Sequence, residues 1–274
     1  MGGIKHLVAS LVDKAGYAIV PHWRRSRLAL SDHLATLFER FRIDCVFDVG
    51  ANKGQYGQFL RSEVGYSGTI LSFEPVRENF AALEKTVGLD ACWTAYGYGL
   101  GDENARRRIN VMKSDSFSSF LDPSHVQVAD FAAMNAIDHT EEVTVQRLDD
   151  VMAGLQKTHN FSRVYLKLDT QGYDLEVIGG AKNSLQYVSA LQSEISILPI
   201  YVGMPDYITS LKTFQSLGFA ISNMFAVTVL ERSLKAVEFD CVMVREAAAL
   251  EMNRSAGSEG TASSSYCHPQ GADG

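Results

Sequence analysis

Apolar and polar positions along this chain switch repeatedly between a two-residue and a helical period, which lays out strands and helices in alternation. Val46-Phe47-Asp48-Val49 is a short apolar run carrying one aspartate, and Gly50-Ala51-Asn52-Lys53-Gly54 turns it into Tyr56-Gly57-Gln58-Phe59-Leu60, which can start a helix. A β-rich run over 68–73 ends in Glu74-Pro75, and Asn79, Phe80, Leu83 and Val87 then mark an amphipathic helix. A third strand is expected over 92–98, and strands over 107–112 and 142–148 enclose a long insert, 113–141. Farther on, a buried-type strand over 164–169 precedes Gly172 and a helix from 173 to about 185. A strand over 190–198 and a helix over 205–217, closed by Gly218, follow. Residues 219–224 and 237–244 read as a terminal strand pair, so 44–246 is predicted to be one doubly wound α/β domain.

Two helical patterns separated by Pro21 precede it and make 1–43 a helical extension. Ile4, Leu7, Val8, Leu11 and Val12 form one apolar stripe; Leu34, Leu37, Phe38 and Phe41 form another, with Ser31 or Asp32 as its cap. Seven basic residues (Lys5, Lys14, Arg24, Arg25, Arg27, Arg40, Arg42) against three acidic ones (Asp13, Asp32, Glu39) give 7 − 3 = +4 here. The extension reads either as a cap over the sheet or a subunit contact, or as a peripheral membrane contact serving a lipid-linked acceptor. The tail 247–274 is rich in Ser and Gly with few apolar anchors and is expected to be disordered.

The whole chain of 274 residues carries a net charge of −7, which argues against a nucleic-acid partner. No apolar stretch approaches the ~20 residues that span a bilayer, and the run from Leu7 to Val12 is short for a signal core, so a cytoplasmic location, with membrane association through 1–43, is expected. Cysteines in apolar runs, such as Cys45 and Cys241, read as small hydrophobes, and no C-x-x-C spacing suggests zinc.

The glycine turn after the first strand carries the chemistry. Such a turn lets a ligand approach bare backbone, and the helix start behind it offers N–H groups to an electron-rich cofactor. A dinucleotide fingerprint G-x-G-x-x-G from Gly50 would need glycine at Asn52 and Gln55, and two of its three positions fail. The pattern that fits is Asp-x-Gly-x-x-x-Gly, Asp48 to Gly54, as in folds that bind S-adenosylmethionine (SAM). Glu74, about 20 residues on, is placed to accept hydrogen bonds from ribose hydroxyls. The glycines of Gly97-Tyr98-Gly99-Leu100-Gly101, at the tip of the third strand, read either as a surface for flat packing against an adenine ring or as a plain turn.

Together, Asp48-Val49-Gly50-Ala51-Asn52-Lys53-Gly54-Gln55, Phe73-Glu74-Pro75 with Asn79, and Leu166-Lys167-Leu168-Asp169-Thr170-Gln171-Gly172-Tyr173-Asp174-Leu175-Glu176-Val177 resemble the signature blocks of the FkbM-type SAM-dependent methyltransferases. The likeness spans roughly residues 44 to 245 and implies a seven-stranded class I methyltransferase sheet. It also implies a hydroxyl of a sugar, glycolipid or macrocycle as methyl acceptor. SAM contacts are expected at Asp48, Gly50, Ala51, Asn52, Gly54, Gln55, Glu74, Pro75 and Leu100.

A base for a hydroxyl acceptor can come from Asp169, Glu194 or His139. Each has a plainer reading: Asp169 as a helix cap, Glu194 as a partner of Lys167, His139 as a solvated surface residue. Two carboxylates on neighbouring strand tips can also hold Mg²⁺, although the visible ligand count is short for a metal site. A non-catalytic SAM-binding module and a nucleotide-cofactor oxidoreductase are the competing classes, and the sequence leaves the acceptor's identity and the oligomeric state open.

Overall fold

The structure, a computed structural model, describes residues 27–246. The first predicted helix, most of the basic segment and the tail from 247 lie outside the described residues. Seven strands form one sheet in the order β3-β2-β1-β7-β8-β10-β9. They are β1 (Cys45–Val49), β2 (Thr69–Phe73), β3 (Trp93–Tyr96), β7 (Val164–Leu168), β8 (Val188–Ser196), β9 (Phe219–Val229) and β10 (Ala236–Arg245). The first five run parallel, and β10 lies antiparallel between β8 and β9. This is the doubly wound arrangement expected from the alternation of elements, with the seven strands that the family resemblance implied, and among the described residues no helix is long and apolar enough to cross a membrane.

Because side chains alternate across a strand, the sheet has two distinct faces. Cys45, Phe47 and Val49 of β1 join Leu166 and Leu168 of β7, Leu191 and Ile195 of β8, and Cys241 and Met243 of β10 in one apolar core. Val46, Tyr165, Ala190 and Val242 point the other way, against α1 (Leu28–Phe41) through Leu30, Leu34, Leu37 and Phe38. The same alternation assigns Asp48, Lys167, Gln192, Glu194, Glu238 and Asp240 to that second face. Toward the carboxyl ends of the parallel strands, this face is therefore polar.

Several elements differ from the expected ones. Helix α1 starts before Ser31, whose Oγ donates to the Leu28 carbonyl oxygen at 2.9 Å inside the first turn, and Arg27 holds the N-cap position without a side-chain cap. The third strand stops at Tyr96, and Gly99–Leu100 crosses into a second sheet as β4, beside β5 (Ala105–Met112) and β6 (Ile137–Gln146), in the order β4-β6-β5. The two strands around the insert therefore pair with each other, outside the main sheet. Leu148 opens a helix, α4 (Leu148–His159), where a strand end had been expected. The insert is not a bare loop: Val128 and Phe131 are buried with Met112, Ile200, Tyr201 and Val237. After Gly172, helix α5 (Asp174–Gly179) is short and ends at Gly180, where an added Cβ would lie 1.8 Å from the Gly101 carbonyl oxygen.

Helix α2 (Gln55–Phe59) runs on into a π-helical turn, Leu60–Val64. Helix α3 (Arg77–Val87) follows β2, and α6 (Tyr207–Ser216) is capped by Asp206, which accepts from the Thr209 N–H at 2.7 Å.

Candidate active site

A cavity of about 430 Å³ opens at the carboxyl ends of the parallel strands, where open α/β sheets bind their ligands. One end is lined by Asp48, Gly50, Ala51, Asn52, Gln55, Glu74, Pro75, Gly99 and Leu100. The other end is lined by Asp169, Thr170, Gln171, Glu194 and Glu238, with Thr228 and Val227 of β9, Arg27, and Ser116, Phe117, Ser118 and Phe120 of the insert. Eight of the nine expected cofactor contacts thus share one wall. Gly54 stands behind it: its φ of 90° caps α2, and a Cβ there would press on Leu83, Thr86 and Trp93.

The turn is built differently from the simple picture of free N–H groups. Gly50 and Ala51 donate to the Phe73 carbonyl, Asn52 to Glu74 Oε2 at 2.8 Å, Lys53 to Gln55 Oε1 and Gly54 to the Ala51 carbonyl. Every N–H from Gly50 to Gly54 is therefore engaged within the chain. Gly50, at φ 81°, serves a protein contact as well, since a Cβ there would lie 2.0 Å from the Asp169 carbonyl oxygen. This bare backbone is what lets the tip of β7 close against β1, with the Asp169 N–H donating to the Val49 carbonyl at 3.0 Å.

Glu74 is buried, and its two oxygens accept from the Asn52 and Val76 N–H groups at 2.8 Å each. Burial pushes its carboxyl up to about 8 despite these donors. Asp48 is raised to about 6 by burial, opposed by nearby Lys167 and by the Ser72 hydroxyl donating at 3.0 Å. Asn52 Oδ1 is buried in the turn without a hydrogen-bond partner.

At the far end, Lys167 Nζ lies 3.0 Å from Asp169 Oδ2, with 4% of the lysine side chain and 38% of the aspartate side chain accessible. Gln171 Nε2 donates to Asp169 Oδ1 and to Glu194 Oε2, both at 3.0 Å. Lys167, Gln171 and a hydrogen bond from Glu194 hold Asp169 below the usual carboxylate range against its desolvation. Burial, then the charge of Asp169, pushes the Glu194 carboxyl well up, so the two carboxyls of the pair are driven in opposite directions. Glu238, which the sequence reading passed over, is also buried, at about 7. Beneath them, the Tyr56 and Tyr165 hydroxyls donate to Gln192 Oε1, and Gln192 Nε2 donates to Asp240 Oδ1 at 2.6 Å.

His139 is not brought to this site. It lies on polar strand β6, with Nδ1 2.9 Å from Asp138 Oδ2 and Nε2 3.2 Å from Glu141 Oε1, and 47% of its side chain is exposed. Among the described residues, no cluster of three or more His, Cys, Asp or Glu side chains is arranged to hold a metal ion. Glu238 and Lys167 had a legible signal: each is a charge in an apolar run, as Glu194 is.

A model of the Methyltransferase FkbM domain matches residues 48–210, which include the glycine turn, Glu74, Asp169 and Glu194. No curated protein matches the sequence. Among solved structures, Methyltransferase FkbM from Methylobacillus flagellatus KT is similar at 15% identity and a TM-score of 0.46, over 74% of this chain. The chain spans only 43% of that protein's length. An rRNA methylase from Streptococcus thermophilus (10% identity, TM-score 0.40) matches over 83% of this chain and 99% of its own. A SAM-dependent methyltransferase from Aquifex aeolicus (12%, TM-score 0.38) matches over 80% and 93%. With its family model covering 48–210 and its seven-stranded sheet in the order described, the chain belongs to the FkbM family of SAM-dependent methyltransferases.

Proposed function

We propose that the protein is an O-methyltransferase that moves the methyl group of SAM to a hydroxyl of a sugar, glycolipid or similar polyhydroxylated metabolite. The observation that carries this reading is the continuity of the cavity, which runs from the glycine turn and Glu74 to an accessible carboxylate, Asp169. The residues suit the cofactor: Asn52 Oδ1 is a buried acceptor without a donor, and Asp48 and Glu74 supply carboxyl oxygens to a cation bearing an amine and ribose hydroxyls. Asp48 with the turn would hold the amino-acid end, Glu74 the ribose, and Gly99 with Leu100 the base.

When bound, SAM supplies an electrophilic methyl group: the acceptor oxygen forms the new C–O bond as the C–S bond breaks, its electron pair going to sulfur. The protein's first task is positioning, which brings the hydroxyl within about 3 to 3.5 Å of the methyl carbon. Asp169 then takes the hydroxyl proton. Its low basicity suffices because that proton becomes acidic only as the oxygen gains its third bond, and such a base is worth ~10²- to 10⁴-fold. Lys167 keeps Asp169 ionised, and the serines and aromatic rings of the insert suit a ring-shaped polyol. The locally basic extension, with Arg27 at the cavity, supports peripheral contact with a membrane that carries a lipid-linked acceptor.

The test is calorimetry with SAM, S-adenosylhomocysteine and NADH, followed by assay of S-adenosylhomocysteine release over a panel of free sugars and glycolipids in vesicles. SAM binding with acceptor-dependent release supports the reading. SAM binding with no release on any hydroxylated acceptor would leave a SAM-binding module, and NADH binding alone would overturn both.

A further inference from the structure

One side chain in the cavity wall meets both carboxyl groups of the acceptor end and, at the same time, the insert that covers it. Gln171 follows β7 with φ 52°, in the left-handed region, and Gly172 continues at φ 92°. This pair of residues turns the carboxamide back across the tips of β7 and β8. Its two N–H hydrogens are both used, one on Asp169 Oδ1 and one on Glu194 Oε2. The amide oxygen is also engaged: the Tyr201 hydroxyl, 1% exposed as a residue, lies 2.9 Å from Gln171 Oε1 and 2.7 Å from the Phe117 carbonyl oxygen, and shares its hydrogen between them. Ser119 Oγ donates to the Gln171 backbone carbonyl at 2.7 Å. Ser119 and Phe117 belong to the insert, and Phe117 lines the cavity.

The donors fix which way the amide faces. Tyr201 offers a hydrogen on one side and two carboxyl groups take hydrogens on the other, so a flipped amide would set its oxygen against both carboxyls. Few side chains could replace it: leucine or methionine offers no donor, and glutamate would add a further negative charge to the acidic site.

We propose that Gln171 is a positioning residue for methyl transfer, whose carboxamide fixes the spacing of the Asp169 and Glu194 carboxyls and ties that pair to the insert through Tyr201 and Ser119. The base is then set in place only when the insert, which forms the acceptor wall, is docked. Acceptor binding and base alignment become linked through one amide. The other charged or titratable groups around the pair are Lys167 on its own strand, Arg27 at the same end of the cavity, Asp48, Asp174, Glu238, Asp240 and Tyr201. They remain unchanged by substitution at 171, so a change in the pair's titration reports on the amide.

This inference rests on the proposed role of Asp169, but its test does not need turnover. Carboxyl ¹³C NMR of the cofactor-free protein, with signals assigned from Asp169→Asn and Glu194→Gln, gives the titration of each group. Gln171→Met should move the Asp169 midpoint up by about one pH unit, because a donor to the ionised form is lost. Tyr201→Phe and Ser119→Ala should move it the same way by less, with the fold intact by circular dichroism. If Gln171→Met does not fold, the Tyr201→Phe and Ser119→Ala titrations decide. Unchanged Asp169 and Glu194 midpoints in folded variants would overturn the proposal, whatever happens to thermal stability. A shifted titration in a protein that transfers no methyl group would instead count against the methyltransferase reading alone.

Discussion

Lys167 places its ammonium 3.0 Å from Asp169 Oδ2 from a position beneath the cavity floor, where only 4% of its side chain meets solvent. It is the cation of a cluster that includes Asp48, Asp169, Glu194 and Asp240, all of which raise its pKa against desolvation. Removing one partner of a buried pair costs about 3 to 5 kcal/mol. Lys167→Met should therefore destabilise the protein by that order at pH 8, and by clearly less at pH 5, where the orphaned carboxyls can protonate. Urea unfolding at both pH values checks this, and an equal loss at both would contradict it.

Gly50→Ala should cost about 2 kcal/mol or more, because φ 81° is unfavourable for alanine and the new Cβ would meet the Asp169 carbonyl oxygen at 2.0 Å. SAM affinity should fall with it as the tips of β1 and β7 separate. A denaturation midpoint equal to that of the parent protein would refute this account of the turn.

Much of this was legible from the chain. The apolar periods located most strands of the main sheet, and the Asp48 to Gly54 spacing with Glu74 pointed to the cavity wall. The hidden part is non-local. Strands buried on both faces read as nearly continuous apolar runs, so the period that gathers Asp48, Lys167, Glu194, Glu238 and Asp240 on one face emerges only when strand order is known. Strand β6 begins Ile137-Asp138-His139-Thr140-Glu141 with exposed residues throughout, except half-buried Glu141, and carries no alternation to find. Helix α4 did carry a signal, Leu148, Val151, Met152 and Leu155 at i, i+3, i+4 and i+7, which was lost by reading Leu148 as the end of a strand.

Stability should fall as the pH rises from 5 to 8. In the folded protein Asp48, Glu238 and Glu74 titrate at about 6, 7 and 8, and burial also holds Glu194 well above the ordinary carboxyl range, whereas unfolded carboxyls have their midpoints at about 4. Across that window the native state binds more protons than the unfolded state, so unfolding releases protons and higher pH favours it. The burden of burying charge is absent below the unfolded values and complete above the folded ones. Calorimetric Tm measured in steps across this range should decline; a rise would contradict the buried-carboxyl picture.

His139→Ala should leave turnover within about twofold of the parent, since surface substitutions away from a site are usually near neutral. The residue pairs with Asp138 and Glu141 on β6 and does not line the cavity. A loss of tenfold or more in the methyl-transfer assay would place it back in the reaction.

In the mechanism proposed above, Asp169 receives the acceptor's proton while the glycine turn and Glu74 hold SAM. Single-turnover methyl transfer by Asp169→Asn to a hydroxylated sugar or glycolipid, with SAM calorimetry on the same preparation, separates the two roles. The expected result is a fall in rate of about 10²-fold or more with SAM affinity within a fewfold of the parent. Near-normal transfer by Asp169→Asn would contradict it.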